Sequence, residues 1–474
     1  MAKEVLAVIV GNRDFFPDVL VAEARKDLLK LFADVGIEVV ILSPEETKLG
    51  AVETWQDAKR CGELFKKHAE SISGILVCLP NFGDEKAVAD SIRLSGLKVP
   101  ILVQASPDDL DQFGLDRRRD SFCGKISVCN NLRQYGLPYT LTHDHTVAVL
   151  SESFRNDLLR FLDVCRVSRG LRQVRIGAVG ARPNAFNTTR YSEKLLEKSG
   201  ISVNTVDLSE IFGRANGLAN DDSRVLRRVD QIKSYADTSA APAEALLKMA
   251  RFATVLDEWM DELGLEATAI QCWNSLQKNF GVNVCTIMSM MSERMLPSAC
   301  EVDIAGVVSM YALQLASGRP SALVDWNNNY GNDPDKCVLF HCGNWAKEFL
   351  PDPRMGSAEI LGTTLGPENT IGALAGRTPS GPLTYARIST DDLTGTIRAF
   401  VGEGVFTDDP LSTIGAKAVV QIPQLRLLMQ HICKNGFEHH AAMNRSHCAS
   451  SVAEALSNYL GCDVYHHAAC RDFL

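Results

Sequence analysis

Residues 5–13 read VLAVIVGNR and residues 74–84 read GILVCLPNFGD, and these two stretches decide the fold of the amino-terminal third of the chain. Each begins as an apolar run and ends in glycine, asparagine and a charged residue. Apolar runs of about four to eight residues between turn residues are typical of strands buried on both faces of a parallel sheet. Residues 20–32 and 54–68 carry the apolar period of helices. This alternation predicts a parallel sheet covered by helices.

A second series of the same kind starts near residue 174, and a different pattern replaces it after about residue 350. The second series predicts a strand at 174–180, helices at 188–198, 223–236 and 242–263, and strands at 203–206, 267–273, 321–325 and 337–341. Beyond 350, short apolar pairs among Gly, Thr and Pro predict antiparallel strands, followed by a helix at 450–460 and a strand at 463–465.

The predicted fold class is α/β, with two Rossmann-like parallel-sheet α/β domains followed by a C-terminal antiparallel β domain. The predicted domains are an N-terminal domain at 1–168, a central domain at 169–350 and a β-rich domain at 351–474.

Charge and composition exclude several classes of partner. The 474 residues carry a formal net charge of −9 without a basic block, which argues against nucleic acid or an anionic membrane surface as a partner. The first ten residues suit a strand and not a secretory signal, and no apolar stretch is long enough to span a bilayer. A cytoplasmic protein is therefore expected. Its 14 cysteines lack any C-x-x-C pair, which favours reduced, buried thiols over disulfides or a thiolate metal site.

Two acidic residues stand in positions that suit a functional site. Glu301 opens a predicted apolar helix, where a carboxylate meets the positive end of the helix, although acids are common there for local reasons alone. Asp325 ends a strand-like run and is followed by WNNNYG, a cluster of polar side chains. A plain turn is the alternative interpretation of Asp325.

Histidines supply a third candidate element. His439, His440 and His447 lie within nine residues, and neighbouring histidines point in different directions, so at most one of the first two faces a given site. Capping or surface histidines are the alternative interpretation. A site of carboxylates and imidazole without thiolate would prefer Mn²⁺, or a similar ion such as Mg²⁺ or Co²⁺.

Taken together, these residues resemble the L-fucose isomerase and L-arabinose isomerase superfamily, and most closely its shorter fucose-isomerase-like members. The resemblance rests on Glu301-x-Asp303, on Asp325 at a spacing of 24 (325 minus 301), and on His440 with His447 seven positions later. It spans essentially the whole chain and is strongest at 267–345 and 435–460. It implies a metal-dependent aldose–ketose isomerase in which Glu301 and Asp325 are catalytic and, with His440, bind the metal.

The resemblance also implies contributions from other parts of the chain. The loop at 11–13 is similar to the Gly-x-Arg of the family, in which the arginine reaches a substrate held by a neighbouring subunit, so Arg13 implies a homotrimer or homohexamer with sites at subunit interfaces. His341 is similar to a fourth ligand of the arabinose branch. Phe82 lies in the loop where fucose enzymes carry tryptophan, so the sugar-facing surface differs.

Aldose–ketose isomerisation moves a proton between C1 and C2 through an enediolate, which requires an acid–base group at carbon and positive charge at the two oxygens. The sequence does not show which carboxylate takes the proton. The sugar is left open among L-fucose, D-arabinose, another deoxy or altrose-type aldose and an anionic hexose derivative. Polyols need many neutral donors and acceptors, and the candidate substrate contacts are Asn12, Arg13, Phe82, Gln271, Trp273, Asn327, His439 and Asn444.

Two other classes of protein share part of the pattern. A nicotinamide-dependent oxidoreductase is suggested by Gly177-Ala-Val-Gly180 after a strand, but Ala-Arg-Pro follows where the dinucleotide fingerprint requires another order of glycines. A non-catalytic sugar-binding protein also has two α/β lobes with polar loops. Such binders carry export signals and have no reason to assemble two acids and a histidine at metal spacing.

Overall fold

The computed structural model describes residues 4–467 and divides the chain into two compact units. The first unit runs to Arg169 and includes the short segment Ser457–Leu460. The second runs from Gly170 to Leu456 and continues at Gly461. The further division of the second unit at residue 350 stays a prediction.

The first unit contains a five-stranded parallel sheet in the order β2-β1-β3-β4-β5. Its strands are β1 Val5–Val10, β2 Glu38–Ile41, β3 Gly74–Leu79, β4 Ile101–Ala105 and β5 Thr140–Leu141. Its helices are α1 Asp18–Val35, α2 Trp55–Lys67, α3 Glu85–Ser95, α4 Ser121–Gln134 and α5 Glu152–Leu171. Thr54 begins α2 with a reciprocal capping box to Asp57, and Asp84 caps α3. The predicted βα alternation is confirmed, with ends shifted by a few residues.

The second unit begins with a four-stranded parallel sheet in the order β7-β6-β8-β9. Its strands are β6 Arg175–Val179, β7 Ser202–Val206, β8 Ala267–Ile270 and β9 Ser298–Cys300. Its helices are α6 Glu193–Lys198, α7 Leu208–Asn216, α8 Ser223–Tyr235, α9 Ala243–Leu263, α10 Cys285–Glu293 and α11 Ile304–Ser317. The predicted helix at 188–198 starts only at Glu193, because Asn and Thr before it favour a separate 3-10 turn, Asn187–Thr189.

A nine-stranded sheet follows, in the order β12-β13-β16-β11-β10-β17-β14-β15-β18. Its strands are β10 Ser321–Asn329, β11 Lys336–His341, β12 Arg354–Ser357, β13 Ile371–Arg377, β14 Gly381–Asp391, β15 Thr396–Thr407, β16 Ala416–Gln421, β17 His440–Asn444 and β18 Asp463–His467. The helices in this part are α12 Glu359–Leu365, α13 Leu425–Lys434 and α14 Ala449–Glu454. Most neighbours are antiparallel, as predicted, and the pairs β13–β16 and β15–β18 are parallel.

Strands β10 and β11 lie at the centre of this large sheet, and not in the second parallel series where the sequence pattern placed them. The connection between them spans only residues 330–335. Because a parallel pair needs a crossover of a dozen or more residues, so short a connection permits only an antiparallel hairpin. Within residues 4–467, no helix combines the length and apolar character needed to cross a bilayer.

Candidate active site

Asp325 and His440 lie opposite each other in the nine-stranded sheet. Strand β10 runs between β11 and β17, and its register pairs Asp325 with His440 on one side and with Phe340 on the other. Directly opposed residues of antiparallel strands point to the same face. The Asp325 Oδ1 and His440 Nε2 atoms are 3.3 Å apart. His341 follows Phe340 at the end of β11 and adds a second imidazole.

Glu301 enters the site from the turn between β9 and α11. Its φ of 56° and the φ of 54° at Val302 are left-handed, a conformation that a β-branched residue rarely adopts and that a surrounding structure must hold in place. The prediction that Glu301 meets the positive end of a helix is wrong. Asp303 is the N-cap residue of α11 and accepts the Gly306 N–H at 2.8 Å, so Glu301 is left to project into the site.

The two carboxylate oxygens of Glu301 have different surroundings. Oε1 accepts hydrogen bonds from Trp273 Nε1 at 3.0 Å and from the Cys272 thiol at 3.3 Å. Oε2 is buried and has no hydrogen-bond partner among residues 4–467, and it lies 3.8 Å from His341 Nε2 and 3.9 Å from His440 Nε2. A buried, unpaired carboxylate oxygen is costly. A cation between this oxygen and a neighbouring nitrogen would supply the missing partner.

Asp303 and Arg387 hold the His440 ring in place. His440 Nδ1 hydrogen-bonds to Asp303 Oδ2 at 2.9 Å, and the fully buried Arg387 donates two bonds to Asp303, at 2.6 and 3.0 Å. Arg387 also donates to Glu438 at 3.1 Å. Because an ionised carboxylate only accepts, the proton of the neutral ring lies on Nδ1 and the Nε2 lone pair is directed at Glu301 and Asp325. A histidine oriented by a carboxylate in this way is typical of metal ligands.

His341 is held in the opposite tautomer. The Cys342 backbone N–H donates to His341 Nδ1 at 2.9 Å, so the proton of the neutral ring lies on Nε2, the nitrogen that faces Glu301. His440 therefore presents a lone pair to the site, whereas His341 presents an N–H. The fourth-ligand role of His341 stays a prediction.

The electrostatics of the site call for positive charge between the acids. Burial raises the pKa of Glu301. Burial also acts to raise the pKa of Asp303, but the Arg387 charge and the His440 hydrogen bond hold it well below its ordinary value. Burial acts to lower the pKa of His440, yet its bonds to Asp303 and Asp325 raise that pKa to about 10. A proton and a cation would compete for the Nε2 lone pair of His440, so binding of a cation there would release the proton.

The donor atoms fit a divalent ion that prefers oxygen and nitrogen. One group of possible ligands is Glu301, His341 and His440, and another is Asp325, His439 and His440; within each group the ligand atoms lie within 4.8 Å of one another. Carboxylate and imidazole donors suit Mn²⁺, Mg²⁺ or Co²⁺. The three residues singled out at the sequence level, Glu301, Asp325 and His440, all belong to these two groups, which share His440.

Two of the predicted substrate contacts lie beside the cluster. Trp273 binds Glu301, as described above, and His439 Nε2 is 3.5 Å from Asp325 Oδ1. The ring of Phe186 packs edge-on against both, with centroid distances of 5.2 Å to Trp273 and 5.5 Å to His439. Phe186 comes from the loop before α6, and the sequence carried no signal for it.

Three other predicted contacts lie elsewhere in the second unit. Gln271 accepts the Ala181 N–H at 2.9 Å and lines a cavity of ≈ 550 Å³ near the carboxyl ends of β6 and β7. Asn327 is exposed on β10. Asn444 is fully buried at the far end of β17 from His440, and its amide donates to Ser317 Oγ at 3.0 Å and Pro320 O at 2.9 Å. The amide of Asn444 thus binds the turn between α11 and β10.

The remaining predicted contacts form one cluster in the first unit. The Arg13 guanidinium lies 4.1 Å from the Phe82 ring centroid and pairs with Glu85. Asn12 accepts a hydrogen bond of 2.5 Å from Asn81. All of these residues follow the carboxyl ends of β1 and β3. The reach of Arg13 into another subunit stays a prediction.

The supporting role of Arg387 was missed, although the sequence contains a signal for it. Arg387 is the one charged residue in the run PLTYARIS, which forms part of β14. A charge within a buried strand must be paired. The sequence does not show that its partners are Asp303, which closely follows Glu301 in the chain, and Glu438, which closely precedes His440.

Two family profiles match this chain. The profile of the fucose/sulfoquinovose isomerase N-terminal domain matches residues 7–172, and the profile of the L-fucose isomerase C-terminal domain matches residues 339–467. The chain belongs to the fucose isomerase-like family. The resemblance found in the sequence is thereby confirmed, and the protein is an aldose–ketose isomerase, an intramolecular oxidoreductase. Family membership favours this class over the nicotinamide-dependent oxidoreductase and the sugar-binding protein.

The chain is similar to curated proteins named sulfoquinovose isomerase. The chain is 26% identical over 370 residues to a sulfoquinovose isomerase of Alkalicoccus urumqiensis, covering 75% of this chain and 78% of that protein. It is 26% identical over 355 residues to one of Priestia aryabhattai, covering 74% and 75% of the two chains. For one of Clostridium sp. (strain MSTE9), identity is 24% over 331 residues, covering 68% and 71%.

Proposed function

We propose that the protein is a metal-dependent isomerase that moves a proton between C1 and C2 of an open-chain monosaccharide by way of an enediolate. The observation that carries this proposal is the buried Oε2 of Glu301, which has no hydrogen-bond partner in the described part of the chain and faces the Nε2 atom of His440. Asp325 completes the group at 3.3 Å from the same nitrogen. Two carboxylates and one oriented imidazole are what proton transfer beside a bound cation requires.

Glu301, Asp325 and His440 would hold the divalent ion, for which Mn²⁺ is proposed, and the ion when bound supplies positive charge to the oxygens of the sugar. The two carboxylates share the proton transfer at carbon. Trp273 and the Cys272 thiol hold one oxygen of Glu301, so that the other oxygen keeps a defined direction. Arg387 and Asp303 keep the His440 ring from turning. Phe186 packs over Trp273 and His439 and restricts water near the acids.

The relatives bear on the choice of sugar. Their name favours the anionic hexose derivative among the sugars that the sequence left open, so we propose a sulfonated hexose of the sulfoquinovose type as the substrate. A panel of sulfoquinovose, L-fucose, D-arabinose and D-altrose, assayed with Mn²⁺ for ketose formation, tests this choice. We expect the highest kcat/KM with sulfoquinovose, and a preference for a neutral aldose would contradict it.

Metal dependence is tested on the same protein. After chelation and dialysis, the isomerase rate should fall to background and return on addition of Mn²⁺, with Mg²⁺ and Co²⁺ compared at the same concentration. The variant His440→Ala should not recover, whereas His68→Ala, at an exposed helix end, should recover fully. Full activity in protein shown by elemental analysis to be free of metal would reject the proposal.

The assembly and location proposed for this enzyme are those that the sequence predicts, a homotrimer or homohexamer in the cytoplasm. Light scattering on the purified protein measures the first. A monomer with full activity would contradict the expected contribution of Arg13 to a neighbouring subunit.

A further inference from the structure

Four cysteines from separate segments lie close to Glu301 and His341. Cys272 follows β8, Cys285 begins α10, Cys300 ends β9 and Cys342 follows β11. All four are free thiols. The Sγ atoms of Cys285 and Cys342 are 3.8 Å apart, and ligand atoms of Cys272, Cys300 and Glu301 lie within 4.8 Å of one another.

One imidazole nitrogen faces this thiol cluster. His341 Nδ1 lies 3.3 Å from Cys342 Sγ, and ligand atoms of Cys300, His341 and Cys342 lie within 4.8 Å of one another. In the tautomer set by the Cys342 N–H, Nδ1 carries no proton and keeps its lone pair. A cation at Nδ1 would take the place of that N–H.

The donor types, and the separation of Cys285 from Cys342, fit a tetrahedral thiolate site. Three sulfurs and one imidazole are a common ligand set of structural zinc, and a zinc–sulfur bond of about 2.3 Å places two sulfurs of a tetrahedron about 3.8 Å apart. The separation of Cys285 and Cys342 has this value before any ion is bound. The oxygen-rich cluster of Glu301, Asp325 and His440 suits a harder ion.

We propose that Cys285, Cys300, Cys342 and the Nδ1 atom of His341 form a second cation site, for a thiophilic divalent ion such as Zn²⁺ or Cd²⁺. On binding, each thiol gives up its proton to solvent, and the sulfur lone pairs form the metal bonds. His341 Nε2 faces Glu301 and Nδ1 faces the thiols, so a single ring separates a thiophilic ion from the site at Glu301.

One of these thiols lies at a cavity. Cys342 is partly exposed and lines a cavity of ≈ 410 Å³, together with Phe340 and residues of β12, α12 and β13. Glu359 in the same wall provides a carboxylate that attracts cations. The sequence favoured reduced, buried thiols over a thiolate metal site, because its cysteines share no short motif and come together only in the folded chain.

The test uses the Mn²⁺-loaded, reduced enzyme titrated with Cd²⁺, with the ultraviolet thiolate-to-cadmium charge-transfer band as the readout. We expect the band to saturate at one equivalent in the wild type and to be lost in Cys300→Ser and in Cys342→Ser. The variant Cys433→Ser, at an exposed position in α13, is the matched control and should keep the band. This readout is independent of catalysis, so its failure is distinct from failure of the isomerase proposal.

Three outcomes would overturn the second site: a wild type without the band, a band unchanged in both cluster variants, or an equal loss in Cys433→Ser. X-ray absorption on the Zn²⁺-loaded wild type covers the case in which a cluster variant fails to fold. We expect a shell of three sulfurs and one nitrogen. A shell of oxygen and nitrogen alone rejects the site.

Discussion

His440 and His341 show how one hydrogen bond sets the chemistry of an imidazole. Each ring has its Nδ1 atom bound within the protein and its Nε2 atom directed at Glu301. The partner of His440 Nδ1 is the Asp303 carboxylate, which only accepts, whereas the partner of His341 Nδ1 is a backbone N–H, which only donates. The proton of the neutral ring therefore lies at opposite nitrogens in the two residues.

The two histidines should differ in their effect on metal binding. We expect His440→Ala to weaken Mn²⁺ binding at least about tenfold more than His341→Ala does, because only His440 presents a lone pair to the acids. Loss of the group that merely orients a ligand histidine already costs about 10- to 100-fold in affinity. Electron paramagnetic resonance of free Mn²⁺ measures both affinities. Equal losses would show that His341 changes tautomer and ligates the same ion.

We expect turnover to depend most on Glu301. Glu301→Gln keeps the shape of the side chain but removes its negative charge and its ability to take a proton, so we expect kcat to fall by about 10³-fold or more. The far-ultraviolet circular dichroism spectrum should not change. The exposed Glu368→Gln serves as the control and should keep the wild-type rate. A Glu301→Gln enzyme with more than a tenth of wild-type kcat would contradict the assigned role.

At the scale of elements, the start of α11 and the middle of β14 are joined by a buried ion pair. Asp303 caps the helix, and Arg387 extends from the strand to bind it, with Glu438 on the other side. Arg387 and Asp303 are both fully buried. Removing one partner of such a pair leaves an uncompensated charge in the interior.

Arg387→Met should lower the free energy of unfolding by about 3–5 kcal/mol, because it leaves the buried charge of Asp303 without its arginine partner. Arg319→Met removes a pair with Glu348 in which the arginine side chain is 50% exposed, and should cost less than about 1 kcal/mol. Urea titration followed by circular dichroism compares the two variants. Similar losses would indicate that the buried pair contributes no more than a surface pair.

At the scale of the whole molecule, the site depends on strands that are far apart in the sequence. Asp325 lies opposite His440 because β10 and β17 are neighbouring strands of the nine-stranded sheet. Glu301 reaches them from the turn between β9, a strand of the four-stranded sheet, and α11. Residues from such distant segments converge only in the folded state. A cation that binds them therefore binds the native chain in preference to the unfolded one.

Metal should stabilise the fold by mass action. At a free Mn²⁺ concentration about 100 times Kd, the native state gains about 2.7 kcal/mol, so the melting temperature of the chelated protein should rise on addition of Mn²⁺. Differential scanning calorimetry measures the shift. His440→Ala should show little or no rise. An equal rise in that variant would place the stabilising ion elsewhere.

Much of the architecture was predictable from local pattern. Apolar runs and helical periods located β1, β3 and most of α1, α2, α8 and α9 to within a few residues, because burial and periodicity are properties of neighbouring residues. The sequence pattern placed β10 and β11 in the wrong sheet, because the partners of a strand depend on segments far away in the chain. Among candidate site residues, Glu301, Asp325 and His440 come together, whereas Asn444 lies at the other end of its strand.

The sequence by itself determined the βα alternation and the antiparallel carboxyl-terminal part, because each is written in residue type and short-range spacing. It pointed to Glu301, Asp325 and His440 as a set only through the resemblance to a known family. Only the tertiary structure decided which nitrogen of each imidazole is free, that Arg387 and Asp303 orient His440, and that four scattered thiols meet behind His341. These features are contacts between segments far apart in the chain, and their geometry is set by the register and packing of the sheets and helices that carry them.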